Sequence, residues 1–397
     1  MLTFSCQVCG QPVYFENSFC THCGATLGFL PDQLRLSALE QGGDGLWRVP
    51  APRSAAAERA AAGGLFARWL GRRQTIPAAP PEMRPSAAAA YRKCMNYELH
   101  EVCNWMVPAD SPDPFCAACR PNQMIPNLVR PGNLDKWFRI ERSKRRLAYG
   151  LLRLGLPLRT KAEDPVGGLG FAFLSSLDAL PGEPVMTGHD KGLITINIDE
   201  ADPALRERMR LDMDEQYRTL LGHFRHEIAH YYWDLLIRDG GRLDEFRAVF
   251  GDERMDYRQA LDAHYAHGAP PNWQDHYVSA YAASHPWEDW AETFAHYLHI
   301  VDTLETSEHF GVRIERRLPD GTLHRSDPDF DPYTIDDFAP IIDNWLPLTF
   351  ALNSLSRSMG QPDMYPFVLS APVIDKLGYV HHVVRESRVG RLLDAAD

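Results

Sequence analysis

No uninterrupted apolar stretch in this sequence approaches the ~20 residues that a membrane-spanning helix needs, so no membrane segment is expected. The opening residues, MLTFSCQVCG, have no basic region ahead of an apolar run, so no secretory signal peptide is expected either. A cytoplasmic location follows, where thiols stay reduced. Positive charge is short as well. The 41 Lys and Arg against 53 Asp and Glu leave a net charge of −12, which argues against a chain that grips nucleic acid through its phosphates. The one local basic run, Arg139 to Arg146, reads as the solvated face of an amphipathic helix. Cysteine is scarce and uneven: all eight lie before residue 120. In a reducing compartment such a set points to metal ligands rather than disulfides. The remaining composition, 45% hydrophobic and 24% charged over 397 residues, fits a soluble globular chain, long enough for one large domain plus small modules or for two ordinary domains.

The cysteines fall into two groups. Cys6-x-x-Cys9 and Cys20-x-x-Cys23 are two knuckles a short loop apart, the spacing by which a zinc ribbon gathers four thiolates into a tetrahedron. Gly10 and Gly24 follow the second cysteine of each knuckle, where a tight turn favours a residue without a Cβ. Val13 to Phe15 between them reads as a short strand. Cys116-x-x-Cys119 is a further knuckle, and Cys94 and Cys103 are a wider first pair, with His100 between them as a possible substitute ligand. Four sulfurs close the count with none left over. From about Ala51 to Ala90 the composition turns to Ala, Pro and Arg, as expected of a linker that buries little. Gly64 to Gly71 could form a helical turn within it.

Beyond residue 128 the pattern is globular. A helix is expected from Asn133 or Asp135 to about Leu154, on an apolar stripe of Trp137, Phe138, Ile140, Leu147 and Leu151. Strands are expected at Gly170–Leu174 and Gly192–Ile198. An exposed edge on the second could hold an extended peptide. Pro203 then opens a helical stretch through Tyr217. The stretch that organises the chain comes next, GHFRHEIAHYYWDLLIR from Gly222 to Arg238. It carries His226-Glu227-Ile228-Ala229-His230, an H-E-x-x-H pattern. On a helix the two histidines lie one turn apart on one face and can reach one metal ion. Glu227 lies beside them, where a carboxylate can deprotonate a metal-activated water. Apolar residues at three- and four-residue steps support the helix, and Gly240-Gly241 stops it.

A catalytic zinc takes three protein ligands and keeps one position open. After His230 the candidates include His264, His267, His276, His285, Glu288, Glu292 and His296. The segment PWEDWAETFAHYL, Pro286 to Leu298, has a broad apolar helical face. Glu288 and Glu292, four apart, share another face, so one can bind the metal while the other fixes a ligand histidine.

Glu288-Asp-Trp-Ala-Glu292 resembles the E-x-x-A-E signature of the gluzincin metallopeptidases, among them the thermolysin-type enzymes and the lethal factor catalytic domain. The resemblance implies Glu288 as third ligand and Glu292 as the carboxylate behind a ligand histidine; the opposite register remains open. In the lethal-factor type a tyrosine seven residues before the ligand glutamate assists catalysis, a position held here by Tyr281, with Tyr277 as its rival. A wider resemblance covers nearly the whole chain. CQVCGQPVYFENSFCTHCG, NWMVPADSPDPFCAACR, TGHDKGLITINIDEAD, LLGHFRHEIAHYYWDLLIRDG and HPWEDWAETFAHYLHIVDTLET are similar to a bacterial family of zinc-binding metallopeptidases with an N-terminal zinc ribbon. It implies His226, His230 and Glu288 as ligands and Glu227 as general base. The link from His230 to Glu288 is longer than in thermolysin-type enzymes.

The expected fold is α+β: a zincin-like metallopeptidase domain preceded by two small four-cysteine zinc-ribbon modules. The expected bounds are a ribbon at 1–50, a linker at 51–90, a second four-cysteine zinc module at 91–128 and the peptidase domain at 129–397. One catalytic and two structural zinc ions, a peptide or protein substrate, and a protein partner at the ribbons are expected. Further helices are expected at Ile335–Leu346, Leu348–Met359 and Val373–Arg388. The competing readings are a zinc-ribbon adaptor on an inactive peptidase fold and a peptidase held latent by its N-terminal part.

Overall fold

The computed structural model describes residues 2–50, 89–176, 185–212, 218–317 and 319–394. Most of the expected linker, the helical turn expected at 64–71 and residues 213–217 of the helical stretch expected through Tyr217 lie outside them. The chain divides into two compact units, Met1–Pro121 and Asn122–Asp397.

In the first unit β1 (Phe4–Ser5) and β2 (Pro12–Val13) form a short antiparallel pair. The strand expected at residues 13–15 stops at Val13, because the Asn17 side chain takes the Tyr14 N–H at 2.7 Å and turns the chain. Five strands follow in one antiparallel sheet: β3 (Thr26–Leu30), β4 (Arg35–Gln41), β5 (Trp47–Arg48), β6 (Tyr91–Lys93) and β7 (Met106–Pro108). A single helical turn, α1 (Met95–Glu98), joins the last two. The sheet therefore takes strands from both sides of residues 51–88, and the two cysteine sets share one core. Phe15 meets Phe29 edge-on at 5.0 Å, and Phe29 lies against Trp105 at 4.6 Å. All three rings are buried. Asn104 donates to the carbonyls of Phe15 and Asn17, which ties the second set to the first.

The second unit opens with β8 (Asn122–Met124) and α2 (Asn133–Leu154), the latter ended by Gly155 in the left-handed region. Trp137, Ile140, Leu147 and Leu151 are buried as the stripe requires, but Phe138 is one step off it and exposed. The next strands are β9 (Gly170–Leu174), β10 (Gly188–Asp190) and β11 (Leu193–Asn197). The sheet runs β10-β11-β9-β8, with β10 antiparallel to the rest. The strand expected to present an edge is thus interior, and β10 takes the edge instead. A two-residue hairpin causes this: Lys191 (φ 46°) and Gly192 (φ 83°) both sit at positive φ, the turn that matches strand twist. A Cβ on Gly192 would lie 2.3 Å from the Gly168 carbonyl oxygen, so the turn needs glycine.

After α3 (Pro203–Asp212) come α4 (Leu220–Tyr232), α5 (Leu243–Phe250), α6 (Tyr257–His267) and the long α7 (Pro286–Phe310). A hairpin of β12 (Ile314–Arg317) and β13 (Leu323–Ser326) precedes α8 (Ala339–Ser358) and α9 (Ala371–Asp394). The two helices expected around Pro347 are one. Pro347 removes a single helix hydrogen bond, and burial of Ile341, Ile342, Trp345 and Leu348 along one face offsets it.

One buried ion pair ties α9 to α7. Lys376 Nζ donates to Asp289 Oδ2 at 2.6 Å and to the His276 carbonyl at 2.8 Å, and both side chains are buried. Removing the cation alone leaves a carboxylate without compensation in an apolar setting. Lys376→Met is therefore expected to cost about 3–5 kcal/mol of unfolding free energy in urea titrations, and the Lys376→Met/Asp289→Leu pair less than that single change.

Candidate metal centre

The Thr219 hydroxyl caps α4 by accepting the Gly222 N–H at 2.9 Å. Phe224, Ile228, Tyr231 and Tyr232 bury one side of the helix, which turns His226 and His230 together to another. The helix continues as a π turn, Trp233–Arg238, a geometry frequent beside functional sites. Gly241, at φ 72°, follows it. α7 begins at Pro286, and His285, one of the ligand candidates, serves as its cap: Nδ1 accepts the Trp287 N–H at 3.1 Å. Trp290 Nε1 donates to the Ala229 carbonyl at 2.9 Å and fastens α7 to α4.

That packing brings Glu288 to the histidines. His226 Nε2 lies 3.0 Å and His230 Nε2 3.6 Å from Glu288 Oε2, and the two nitrogens are 3.2 Å apart. Ligand atoms about 2.0–2.1 Å from a tetrahedral zinc must stand about 3.3–3.4 Å from one another, so the triangle has the right size. Glu288 Oε2 is buried with no hydrogen-bond partner. The donor set, two imidazoles and a carboxylate, is one that zinc takes. Behind the site, Glu292 Oε1 lies 2.7 Å from His226 Nδ1, and Glu292 Oε2 accepts from the Ser279 hydroxyl at 2.7 Å. A proton on Nδ1 leaves the Nε2 lone pair facing inward.

The electrostatics agree with a cation site. Burial would lower the His226 pKa, but the Glu292 hydrogen bond and the charges of Glu288 and Glu292 outweigh it and raise it well above the ordinary range. Burial opposes ionisation of Glu292, yet the His226 hydrogen bond holds it down at about 2. Glu227 is buried beside the pair, and desolvation raises its pKa against the lowering effect of His226 and His230.

The remaining candidates separate. Tyr281 has its ring 5.9 Å from that of His226, with its hydroxyl pKa pushed far up, first by burial and then by the Glu288 charge. Tyr277 lies under Lys376, 4.4 Å from its Nζ. His264 sits against Tyr281, His296 shares a hydrogen bond with Tyr365, and His267 turns back to the Ala263 carbonyl. His276 contributes its carbonyl to Lys376.

Four participants escape sequence reasoning. Tyr257, on α6, hydrogen-bonds Glu288 Oε1 at 2.7 Å. Trp287 packs on His230, with ring centroids 3.9 Å apart. His189, on β10, lies 6.0 Å from His230 and accepts the Gly192 N–H. Glu200 joins His223 to Thr187, just ahead of β10, and so connects the edge strand to α4. Only Trp287, adjacent to Glu288, carried a local signal.

The cysteines form two further sets of four. Cys6–Cys23 and Cys9–Cys20 sulfurs are 3.7 and 3.6 Å apart, and Cys103 stands 3.8 Å from both Cys116 and Cys119. Thiolates about 2.3 Å from a tetrahedral zinc lie about 3.8 Å apart, so both sets fit. Gly10 and Gly24 share φ 75° and return their N–H groups to the Cys6 and Cys20 carbonyls at 2.8 Å. Burial raises the Cys20 thiol, but the backbone donors of Cys23 and His22 bring it to about 7. The second set is Cys94, Cys103, Cys116 and Cys119, all buried, and does not include His100.

Two four-cysteine sets and a helix pair that brings His226, His230 and Glu288 together are the candidate metal sites of this chain. The chain belongs to the family described as "Putative zinc-binding metallo-peptidase", whose profile matches residues 133–383; a zinc-ribbon domain profile matches residues 3–62 and 77–130. It is 40% identical to uncharacterized proteins of Mycobacterium bovis and of two strains of Mycobacterium tuberculosis, over 97% of this chain and 96% of theirs. No solved structure matches it. Among the described residues no helix is long and apolar enough to cross a membrane.

Elemental mass spectrometry tests the three sets together. Zinc per chain is expected to be three in the wild type and two in a folded His226→Ala/His230→Ala variant. An unchanged count would remove the helix pair from the metal-binding residues.

Proposed function

We propose that this protein is a zinc-dependent peptidase that hydrolyses peptide bonds in a peptide or protein substrate, and that both cysteine sets hold structural zinc. The observation that carries the reading is the convergence of His226 Nε2, His230 Nε2 and Glu288 Oε2 within 3.6 Å of one another beside the buried Glu227. Zinc held by these three residues supplies a Lewis acid that polarises a carbonyl and eases the ionisation of water.

The chain's own residues do the rest. Glu227, whose proton affinity burial raises, takes the water proton and passes it to the leaving nitrogen. Tyr281, beside His226, donates its hydroxyl proton to the oxyanion that develops on the carbonyl, a contact worth about 10²–10³ in turnover. Glu292, held by Ser279, keeps the His226 ring in orientation. The edge strand β10 lies on the His230 side and can pair with an extended substrate through main-chain groups, which orients the scissile bond. A protein partner at the ribbons is compatible with this reading, and the acidic net charge favours protein over nucleic acid there.

Glu227→Gln keeps the shape of the side chain and removes the base. It is expected to retain three zinc ions and to lower cleavage in a peptide-library assay by about 10²–10⁴-fold. Undiminished cleavage by this variant would contradict the assignment.

A further inference from the structure

The carboxylate of Glu288 is divided between two neighbours. Its Oε2 faces the imidazole nitrogens at 3.0 and 3.6 Å and has no hydrogen-bond partner. Its Oε1 accepts the Tyr257 hydroxyl at 2.7 Å. Glu288 is 1% exposed, so no bulk water competes for either oxygen. The last torsion of a glutamate is soft and nearly two-fold. Left alone, the group could rotate and turn both oxygens toward the histidines. A hydroxyl bonded to one oxygen of a charged carboxylate resists that rotation, because such charge-assisted bonds are about twice as strong as neutral ones.

We propose that Tyr257 is the positioning residue of the metal centre: its hydroxyl holds Glu288 Oε1 aside, so that a single carboxylate oxygen faces His226 and His230. The proposal rests on the metal-centre reading above. A three-ligand zinc is catalytic only while a further position stays free for water or substrate, and a second carboxylate oxygen turned inward would take it.

The surroundings of Tyr257 suit this task. Its ring stands edge-on to His285 at 5.2 Å and to Trp287 at 5.6 Å, the residues that flank the start of α7 three and one positions before Glu288. The Asp256 side chain caps α6 by accepting the Gln259 N–H at 2.9 Å, which sets the entry of the helix at Tyr257. No residue of α6 is buried, and Gly251 (φ 101°) and Gly268 (φ 75°) bracket the segment. The long connection between the two motif helices thereby contributes a group to the site.

The test uses full-length wild type and Tyr257→Phe, a change that keeps the ring and alters no buried residue of α6. The third site is emptied with a mild chelator while both cysteine sets keep their zinc, and is then titrated with Co²⁺ against a chromophoric competitor. Tyr257→Phe is expected to weaken Co²⁺ binding at this site by about 10–100-fold. Its visible d–d spectrum is expected to shift as well, as the second Glu288 oxygen takes the position left for water. Equal affinity and an equal spectrum would overturn the proposal. Weaker binding with an unchanged spectrum would also overturn it, since the hydroxyl would then only stabilise the segment. A wild type that takes up no Co²⁺ at the emptied site would overturn the metal-centre reading itself, and this proposal with it.

Discussion

Three lone-pair donors are pressed together in the second unit of this protein. Two imidazole nitrogens and a carboxylate oxygen stand 3.0–3.6 Å apart, and all three side chains are buried or nearly so. Such an arrangement is unfavourable unless positive charge occupies the centre. A proton can supply part of it, as the raised affinity of His226 indicates. A divalent cation supplies more, and the spacing is the one its tetrahedral ligands require.

Much of the second unit can be read as what keeps those donors in place. Trp290 hooks α7 to the backbone of α4 next to His230, Glu292 and Ser279 brace His226 from behind, and the His285 cap sets where α7 begins. The Asp289–Lys376 pair anchors the same turn of α7 to α9. On the other side, the β10–β11 hairpin delivers an edge strand, and Glu200 connects its approach to α4 through His223. The first unit follows the same logic on a smaller scale. Its sulfurs are spaced for metal, and Phe15, Phe29 and Trp105 pack together in its core.

Wherever one local rule decided the outcome, the sequence was readable. A helical period with Glu and His on one face marked α4 and α7, and two C-x-x-C knuckles with a following glycine marked the ribbon. Asn133–Leu154 and Gly170–Leu174 matched their patterns closely. Decisions made over distance were not readable. That β11 would be covered by β10 depended on a Lys191-Gly192 turn whose type only the backbone reveals. The single helix through Pro347 depended on burial against the rest of the unit. Tyr257 lies 31 residues before Glu288 on a helix with no buried face, so no periodicity pointed to it.

One metal ion is expected among His226, His230 and Glu288. Anomalous diffraction on either side of the zinc absorption edge, from crystals of the full chain grown with zinc, tests it most directly. The account predicts three peaks, one inside each cysteine set and one in contact with both histidines and a single oxygen of Glu288. Two full peaks at the cysteines with no zinc density between α4 and α7 would contradict it.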